Sequence, residues 1–212
     1  MRFEDQASDA DLLRDMIAGN EEAFVAIYRR LQGPLYRFAL QMTGSASLAE
    51  ETVQEAFMTL IRQAGSFDAK RGTLQAYLYG ICRNHVLRCV AQESPYVGMP
   101  DAGVGSGSAF SELVDPLDLL ASLAAAENIE LVRKAVLTLP PSYREVVVLC
   151  DLHEMAYEQA AGVLGCPIGT VRSRLHRARD LLLAKLRERV PAGMNVSIAS
   201  GQNAQRVSND RL

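Results

Sequence analysis

Apolar residues recur at intervals of three and four along most of the chain, and the two-residue alternation typical of β-strands is nearly absent. Glycine, proline and capping residues divide this pattern into segments of helix length. Hydrophobic residues make up 49% of the 212 residues and charged residues 22%, as in an ordinary globular protein. We therefore predict an all-α fold, with enough chain for one or two compact domains.

Four helices are expected in the first half of the chain. The first covers residues 9–18, and Asn20 caps the second, which Gly33-Pro34 is expected to interrupt. Ser47 and Glu50 have the spacing of a capping box and predict the start of a third helix. A fourth is expected between Thr73 and Gln92.

Two further helices are expected after a long break. One ends before Pro140, with Ile129, Val132 and Val136 facing inward, and the next begins near Ser142.

The segment from Tyr157 to Arg179 predicts two short helices joined by a tight turn. Gly165 suits the end of the first helix, and Pro167 fits the first turn of the second. The second helix has a buried stripe of Val171, Leu175, Ala178 and Leu182. Another face carries Thr170, Ser173, Arg174 and Arg177, flanked by Arg172, His176 and Arg179. Short polar groups and guanidinium groups opposite a packing stripe are typical of a helix-turn-helix that binds DNA.

Charge is distributed unevenly along the chain. Thr170 to Arg189 holds seven Lys or Arg against two Asp or Glu, whereas the whole chain has a net charge of −3. A second basic stretch lies between Ala69 and Gln92, and the segment between Arg88 and Arg133 has no Lys or Arg. Two basic patches therefore flank an acidic, Gly- and Ser-rich linker, which predicts nucleic-acid binding at two places.

Several other classes of protein are disfavoured by the sequence. The four cysteines form no CxxC pair and no secretory signal is present, which predicts a reducing, cytoplasmic location. Cys150 and His153 have the spacing of metal ligands, but no second pair completes a zinc site. No apolar run reaches the roughly 20 residues of a membrane span. With no phosphate-binding glycine loop and no catalytic Ser/His/Asp set, we expect no enzyme, no cofactor and no metal.

Two helical domains on a flexible acidic linker, each with basic residues for DNA, resemble a bacterial RNA polymerase sigma factor of the sigma-70 family. The match is to the group-four, extracytoplasmic-function (ECF) type. In the first domain the matching sequences are AEETVQEAF and RGTLQAYLYGICRNHVLR, and in the last they are LTLPPSYREVVVLCDL and YEQAAGVLGCPIGTVRSRLHRAR. The resemblance implies sigma region 2 at 9–92, a flexible linker at 93–116, sigma region 4 at 117–190 and a disordered tail at 191–212.

The resemblance also implies roles for individual residues. The VQE helix of the family docks on core RNA polymerase, and its positions here are Glu51, Gln54 and Glu55. The helix after the RG loop recognises and opens the promoter −10 element, and its positions here are Tyr77, Arg83, Asn84 and Arg88. Asn84 would capture a base and the two arginines would hold phosphates, whereas Tyr77 either stacks on a base or packs in the core.

The helix-turn-helix would recognise the −35 element. Its implied DNA-binding residues are Tyr157, Thr170, Arg172, Ser173, Arg174 and Arg177, of which Tyr157 contacts a phosphate or simply packs. The implied partners are core RNA polymerase, promoter DNA and an anti-sigma factor. The implied function is promoter-specific initiation of transcription in the cytoplasm, without membrane insertion.

Three positions depart from the family pattern. Ala156 stands where a capping Ser or Thr is common, Gly162 lies inside a helix, and Cys150 replaces a common Arg. A lost cap costs about 0.5–2 kcal/mol and an internal glycine about 1 kcal/mol. These departures predict a weaker, more partner-dependent −35 domain.

Two other functions are compatible with parts of the pattern. A sigma mimic that only titrates an anti-sigma factor would not need Arg83, Asn84, Arg172, Arg174 and Arg177, which argues against it. An operator-binding regulator would leave the first domain without a role. A regulator would bind promoter DNA alone, whereas a sigma factor largely needs core polymerase.

Overall fold

The computed structural model describes residues 7–69, 72–93 and 129–189. These residues form eight α-helices and no strand, which confirms the predicted all-α fold. The helices of the first half are α1 (Asp9–Ile17), α2 (Glu21–Thr43), α3 (Ala46–Gln63) and α4 (Leu74–Glu93). Those of the second half are α5 (described over 129–137), α6 (Pro141–Val147), α7 (Tyr157–Leu164) and α8 (Ile168–Arg189). A 3-10 turn at Ala64–Ser66 follows α3, and a π-helical turn at Val148–Leu152 continues α6. The predicted linker beyond residue 93 and the predicted tail lie outside the described residues.

Helix α2 runs through Gly33 and Pro34 without a break, so the predicted interruption is wrong. Proline removes one backbone donor from the helix, which is a local cost. Leu31, Leu35 and Phe38 are buried on both sides of the proline and form one continuous stripe. Burying this stripe outweighs the lost hydrogen bond, since each such side chain contributes about 1.5–3 kcal/mol.

The caps of α2 and α3 follow local chemistry. The Asn20 side chain accepts hydrogen bonds from two amides of the first turn of α2, as predicted. The predicted capping box at Ser47 is wrong, because Ser45 caps α3 and accepts from the Leu48 amide at 3.3 Å. Gly44 ends α2 in the left-handed region with a φ of 75°, and the chain enters α3 directly after it.

The helix-turn-helix is formed by α7 and α8 as predicted, but α8 has 22 residues and is not the short helix that was expected. Gly165 ends α7 with a φ of 62°, and Pro167 lies just before α8. The stripe of α8 is buried along Val171, Leu175, Ala178 and Leu182. No side chain caps α7 at Ala156.

Helix α5 packs differently from the expectation. Val136 is buried, but Ile129 is 62% and Val132 39% exposed, so the predicted inward position of these two residues is wrong. They line an apolar cavity of about 330 Å³ with Leu152 and Gln41. The helix packs through its last turns rather than along its whole length.

The two halves of the chain pack against each other around a continuous core. Helix α4 contacts α7, and α2 contacts both α6 and the π-helical turn. We call the polar part of this contact the seam, and it consists of Gln41, Tyr79 and Arg83 from the first half with Arg144, Glu145 and His153 from the second.

Candidate polymerase-binding and DNA-binding surfaces

Three polar residues of α3 lie together on the side away from the core. Glu51 and Gln54 are exposed, and Glu55 is half-buried with its carboxylate 3.5 Å from the Arg62 guanidinium. The buried stripe of the same helix includes Val53, which lies on the other side. The structure therefore brings the predicted polymerase-binding residues together on one accessible face.

An apolar groove borders this face between α2 and α3. It has a volume of about 880 Å³ and is lined by Tyr28, Gln54 and Met58, among others. Ile61 also lines it and is 53% exposed. Contiguous exposed apolar side chains of this kind are also found on protein-binding surfaces. The sequence pattern missed the groove because a shallow surface between two helices has no period of its own.

The exposed side of α4 carries two of its four predicted DNA-binding residues. Asn84 and Arg88 are both exposed and lie one helical turn apart. Tyr77 is half-buried, and its ring contacts the Phe67 ring edge-on at 5.6 Å. Tyr77 therefore packs within the first half and leaves part of its ring accessible on the same side of the helix.

Arg83 lies on a different side of α4, within the seam. Its Nε and one terminal nitrogen donate to the two carboxylate oxygens of Glu145, at 3.0 and 3.2 Å. The Glu145 side chain is 3% exposed. Arg83 is thus separated from Asn84 and Arg88, and it is paired with a carboxylate from the second half of the chain.

The DNA-facing side of α8 is accessible. Ser173 and Arg177 are exposed, Thr170 and Arg174 are half-buried, and all four lie outside the buried stripe. The Ser173 hydroxyl donates to the Thr170 carbonyl at 3.1 Å. The structure therefore brings these four predicted residues onto one face of the second helix of the motif.

Two contacts fix the direction of α8 relative to the rest of the motif. The Arg172 guanidinium lies over the Tyr157 ring, 5.8 Å from its centroid, which is a cation–π contact. Arg179 donates to both carboxylate oxygens of Asp151 at 3.0 and 2.5 Å, and these hydrogen bonds raise the pKa of its guanidinium. Tyr157 and Arg172 therefore fix the positions of each other's side chains, and Arg179 links α8 to the π-helical turn.

His153 forms the centre of the seam. Tyr79 donates its hydroxyl proton to Nδ1 at 2.8 Å, and Nε2 donates to the Gln41 side-chain oxygen at 2.9 Å. Burial, with a smaller effect of Arg37, lowers the pKa of His153 to about 4. Burial also raises the pKa of Tyr79 to about 12, so that Tyr79 remains a donor at neutral pH. The imidazole is neutral, and both of its nitrogens are engaged.

We expect the free energy of unfolding to fall as the pH is lowered from 6.5 to about 4. The pKa of His153 is depressed in the folded state, so the unfolded state binds a proton first and gains stability over this range. Carboxylates titrate in the same range, so the measurement compares urea denaturation of the wild type with that of His153→Gln. The wild type should lose stability more steeply, and equal slopes would show that His153 does not couple protons to folding.

Within the described residues, no group of three or more His, Cys, Asp or Glu side chains is placed to hold a metal ion. Burial raises the pKa of the Cys150 thiol to about 11. Both nitrogens of His153 are already used within the seam. The spacing of these two residues reflects packing.

Arg144 and Glu145 were missed as interacting residues by the sequence pattern. Arg144 donates to the carbonyls of Met42 at 2.5 Å, of Leu139 at 3.1 Å, and of Leu137. Met42 lies in the last turn of α2, where a cation stabilises the helix end. Charged residues next to the apolar run Val146–Val148 need polar partners when the run is buried. The spacing of residues in the sequence did not indicate which residues those partners would be.

Within the part of the chain that the structure describes, no helix is both long and apolar enough to cross a bilayer.

Two family models match the chain in the order of its two halves. Residues 27–95 match the model described as Sigma-70 region 2, and residues 129–182 match Sigma-70, region 4. Together they cover more than half of the chain. The first contains α3 and α4, and the second contains the helix-turn-helix.

Curated relatives match along most of their own length. The chain is 29% identical over 182 residues to the ECF RNA polymerase sigma factor SigW of Bacillus subtilis, covering 83% of this chain and 95% of SigW. It is 29% identical over 184 residues to the ECF RNA polymerase sigma-E factor of Escherichia coli K12, covering 84% of this chain and 94% of the sigma-E factor.

Solved structures match both halves at once. The structure of CnrH in complex with the cytosolic domain of CnrY gives a TM-score of 0.63 at 25% identity, covering 86% of this chain and 99% of that one. The sigma factor RpoE in complex with the anti-sigma factor NepR from Bartonella quintana gives a TM-score of 0.59 at 27% identity, covering 77% of this chain and 96% of that one. The chain therefore belongs to the sigma-70 family as an ECF sigma factor, which is not an enzyme but an alternative initiation factor that binds core RNA polymerase and directs promoter-specific transcription.

Proposed function

We propose that the two faces of the molecule divide promoter recognition between them, with α8 reading the −35 element and α4 the −10 element. The observation that supports this most directly is the accessible polar face of α8, formed by Thr170, Ser173, Arg174 and Arg177 beside a buried stripe. A helix with this arrangement fits the major groove, where guanidinium groups pair with guanine edges and hydroxyls with phosphates. Arg172 and Tyr157, which contact each other, contribute to DNA binding at the edge of this surface.

Helix α4 would hold the opened −10 strand. Asn84 presents an amide to a flipped base, and Arg88 clamps the neighbouring phosphate. The partly accessible ring of Tyr77 offers a stacking surface beside them. Arg83 belongs to the same DNA-binding set only when it is released from Glu145.

The α3 face of Glu51, Gln54 and Glu55 would dock on the polymerase. The neighbouring groove supplies an apolar contact through Tyr28, Met58 and Ile61. An apolar centre with a polar rim is the usual composition of a protein interface.

The domain division that we propose is region 2 over 9–92 and region 4 over 117–190, with a linker at 93–116 and a tail at 191–212. We also propose an anti-sigma factor as a partner, because the matched sigma factor RpoE was solved with the anti-sigma factor NepR. The matched CnrH was likewise solved with a second protein, the cytosolic domain of CnrY. We propose that the protein acts in the cytoplasm, because core polymerase and promoter DNA are its partners.

Replacing Glu51, Gln54 and Glu55 together with alanine is expected to weaken binding to core polymerase by about tenfold or more, as expected when an interface loses contacts worth about 1.4 kcal/mol. The measurement is the dissociation constant for fluorescently labelled protein and purified core enzyme, without DNA. The matched control is Glu158→Ala with Gln159→Ala, which removes exposed residues of the same types from α7. Loss in both variants, or in neither, would place the docking face elsewhere.

A further inference from the structure

The ion pair between Arg83 and Glu145 joins the two halves of the chain. Glu145 is 3% exposed and Arg83 is 20% exposed, so water reaches little of either group. Both hydrogen bonds are made side by side, between two guanidinium nitrogens and two carboxylate oxygens. This is the geometry in which arginine also binds a phosphate group.

A carboxylate and a DNA phosphate compete for the same edge of one guanidinium. Each presents two anionic oxygens, and the edge formed by Nε and one terminal nitrogen accommodates one such partner in this way. While Glu145 holds Arg83, this edge is therefore closed to promoter DNA. Asn84 and Arg88, on the exposed side of α4, are not blocked.

Glu145 depends on Arg83 for its neutralisation. Its neighbour Arg144 directs its guanidinium to the carbonyls of Met42 and Leu139, at 2.5 and 3.1 Å, and to that of Leu137. A buried carboxylate without a partner is strongly destabilising, so the pair breaks only if the seam opens and water reaches Glu145. Tyr79, His153 and Gln41 hold the seam closed next to it.

We propose that Glu145 is an internal competitor of DNA phosphate at Arg83. In the closed arrangement of the free protein, α4 binds the −10 strand with one phosphate contact fewer than it makes after the seam opens. Core polymerase would favour the open arrangement and release Arg83 for DNA. This inference rests on the proposed −10 role of α4.

The test measures binding of the free, full-length protein to a fluorescein-labelled oligothymidine 20-mer at several salt concentrations. Phosphate contacts do not depend on the DNA sequence. On single strands, the logarithm of the binding constant falls with the logarithm of the salt concentration, and each phosphate contact steepens this slope by about 0.7. Glu145→Gln should steepen the slope by about 0.7, and Arg83→Gln in that background should remove the gain. The control Glu130→Gln makes the same charge change on the exposed surface of α5 and should leave the slope unchanged.

A second comparison keeps the Glu145 carboxylate but removes its partner, and because an unpaired buried carboxylate is destabilising, it uses Arg83→Gln protein that circular dichroism shows to be folded. In the free protein Arg83→Gln should leave the slope unchanged, because Arg83 is already occupied, whereas Arg88→Gln should reduce it by about 0.7. An equal reduction in both variants would overturn the proposal, as would an unchanged slope in folded Glu145→Gln. Promoter-specific transcription with core polymerase separates the two hypotheses. If Arg83→Gln leaves transcription unchanged, Arg83 has no role in −10 recognition. If Arg83→Gln reduces transcription but the salt slopes do not change as expected, Arg83 contributes to −10 recognition and Glu145 does not compete with DNA phosphate.

Discussion

Replacing Phe38 with alanine is expected to lower the free energy of unfolding by about 3–5 kcal/mol, the usual cost of removing a fully buried phenylalanine. Phe38 is completely buried in α2. Its ring contacts Tyr79 edge-on at 5.2 Å and His153 at 6.1 Å, so it lies beneath the seam and supports both halves of the chain. The cavity would remove packing from the two halves at once.

Urea denaturation followed by circular dichroism measures this loss. Phe67→Ala is the matched control, because Phe67 is half-buried and packs on Tyr77 at the edge of the first half. The control should lose less than half as much stability. If both variants lose the same amount, Phe38 does not have the central position in the core that the structure gives it.

Replacing both Arg174 and Arg177 with alanine is expected to reduce transcription from a −35-dependent promoter at least thirty-fold. Each guanidinium contact to a base edge or phosphate contributes about 1–3 kcal/mol, so two contacts contribute about 2 kcal/mol or more. Both side chains lie outside the buried stripe of α8, with Arg177 exposed and Arg174 half-buried. Their removal should leave the helix and the fold intact.

The measurement is the initial rate of promoter-specific transcription at saturating core polymerase. Lys185→Ala with Arg187→Ala is the matched control, since it removes the same charge from the same helix farther from the turn. The control should change the rate by less than about threefold, as expected for screened charges. Equal losses in both variants would mean that α8 attracts DNA only by its overall charge.

Features fixed by neighbouring residues could be predicted from the sequence. The stripe of α8, the turn at Gly165 and the Asn20 cap each depend on contacts within a few residues. The three polar residues on α3 and the four on α8 likewise share faces because of helical spacing alone. Their assignment to a polymerase and to promoter elements came from the family resemblance.

Features fixed by distant residues could not be predicted in the same way. Pro34 stays within α2 because the residues on both sides of it are buried against other helices. The spacing on α4 gave no sign that Arg83 would face Glu145, which lies 62 positions along the chain. The same holds for His153, whose partners Tyr79 and Gln41 come from two helices of the other half. The sequence indicated two domains and their surfaces. It did not indicate the ion pair with Glu145 that occupies Arg83 on α4.

The most direct test of the account is in vitro transcription with purified core polymerase and a genomic promoter library, with and without this protein. We expect transcripts that appear only when the protein is added and that share a −35 and a −10 element at fixed spacing. Asn84→Ala should relax selection at the −10 element alone, and Arg174→Ala at the −35 element alone. Promoter binding without core enzyme, or a folded protein that neither binds core nor yields specific transcripts, would contradict the account.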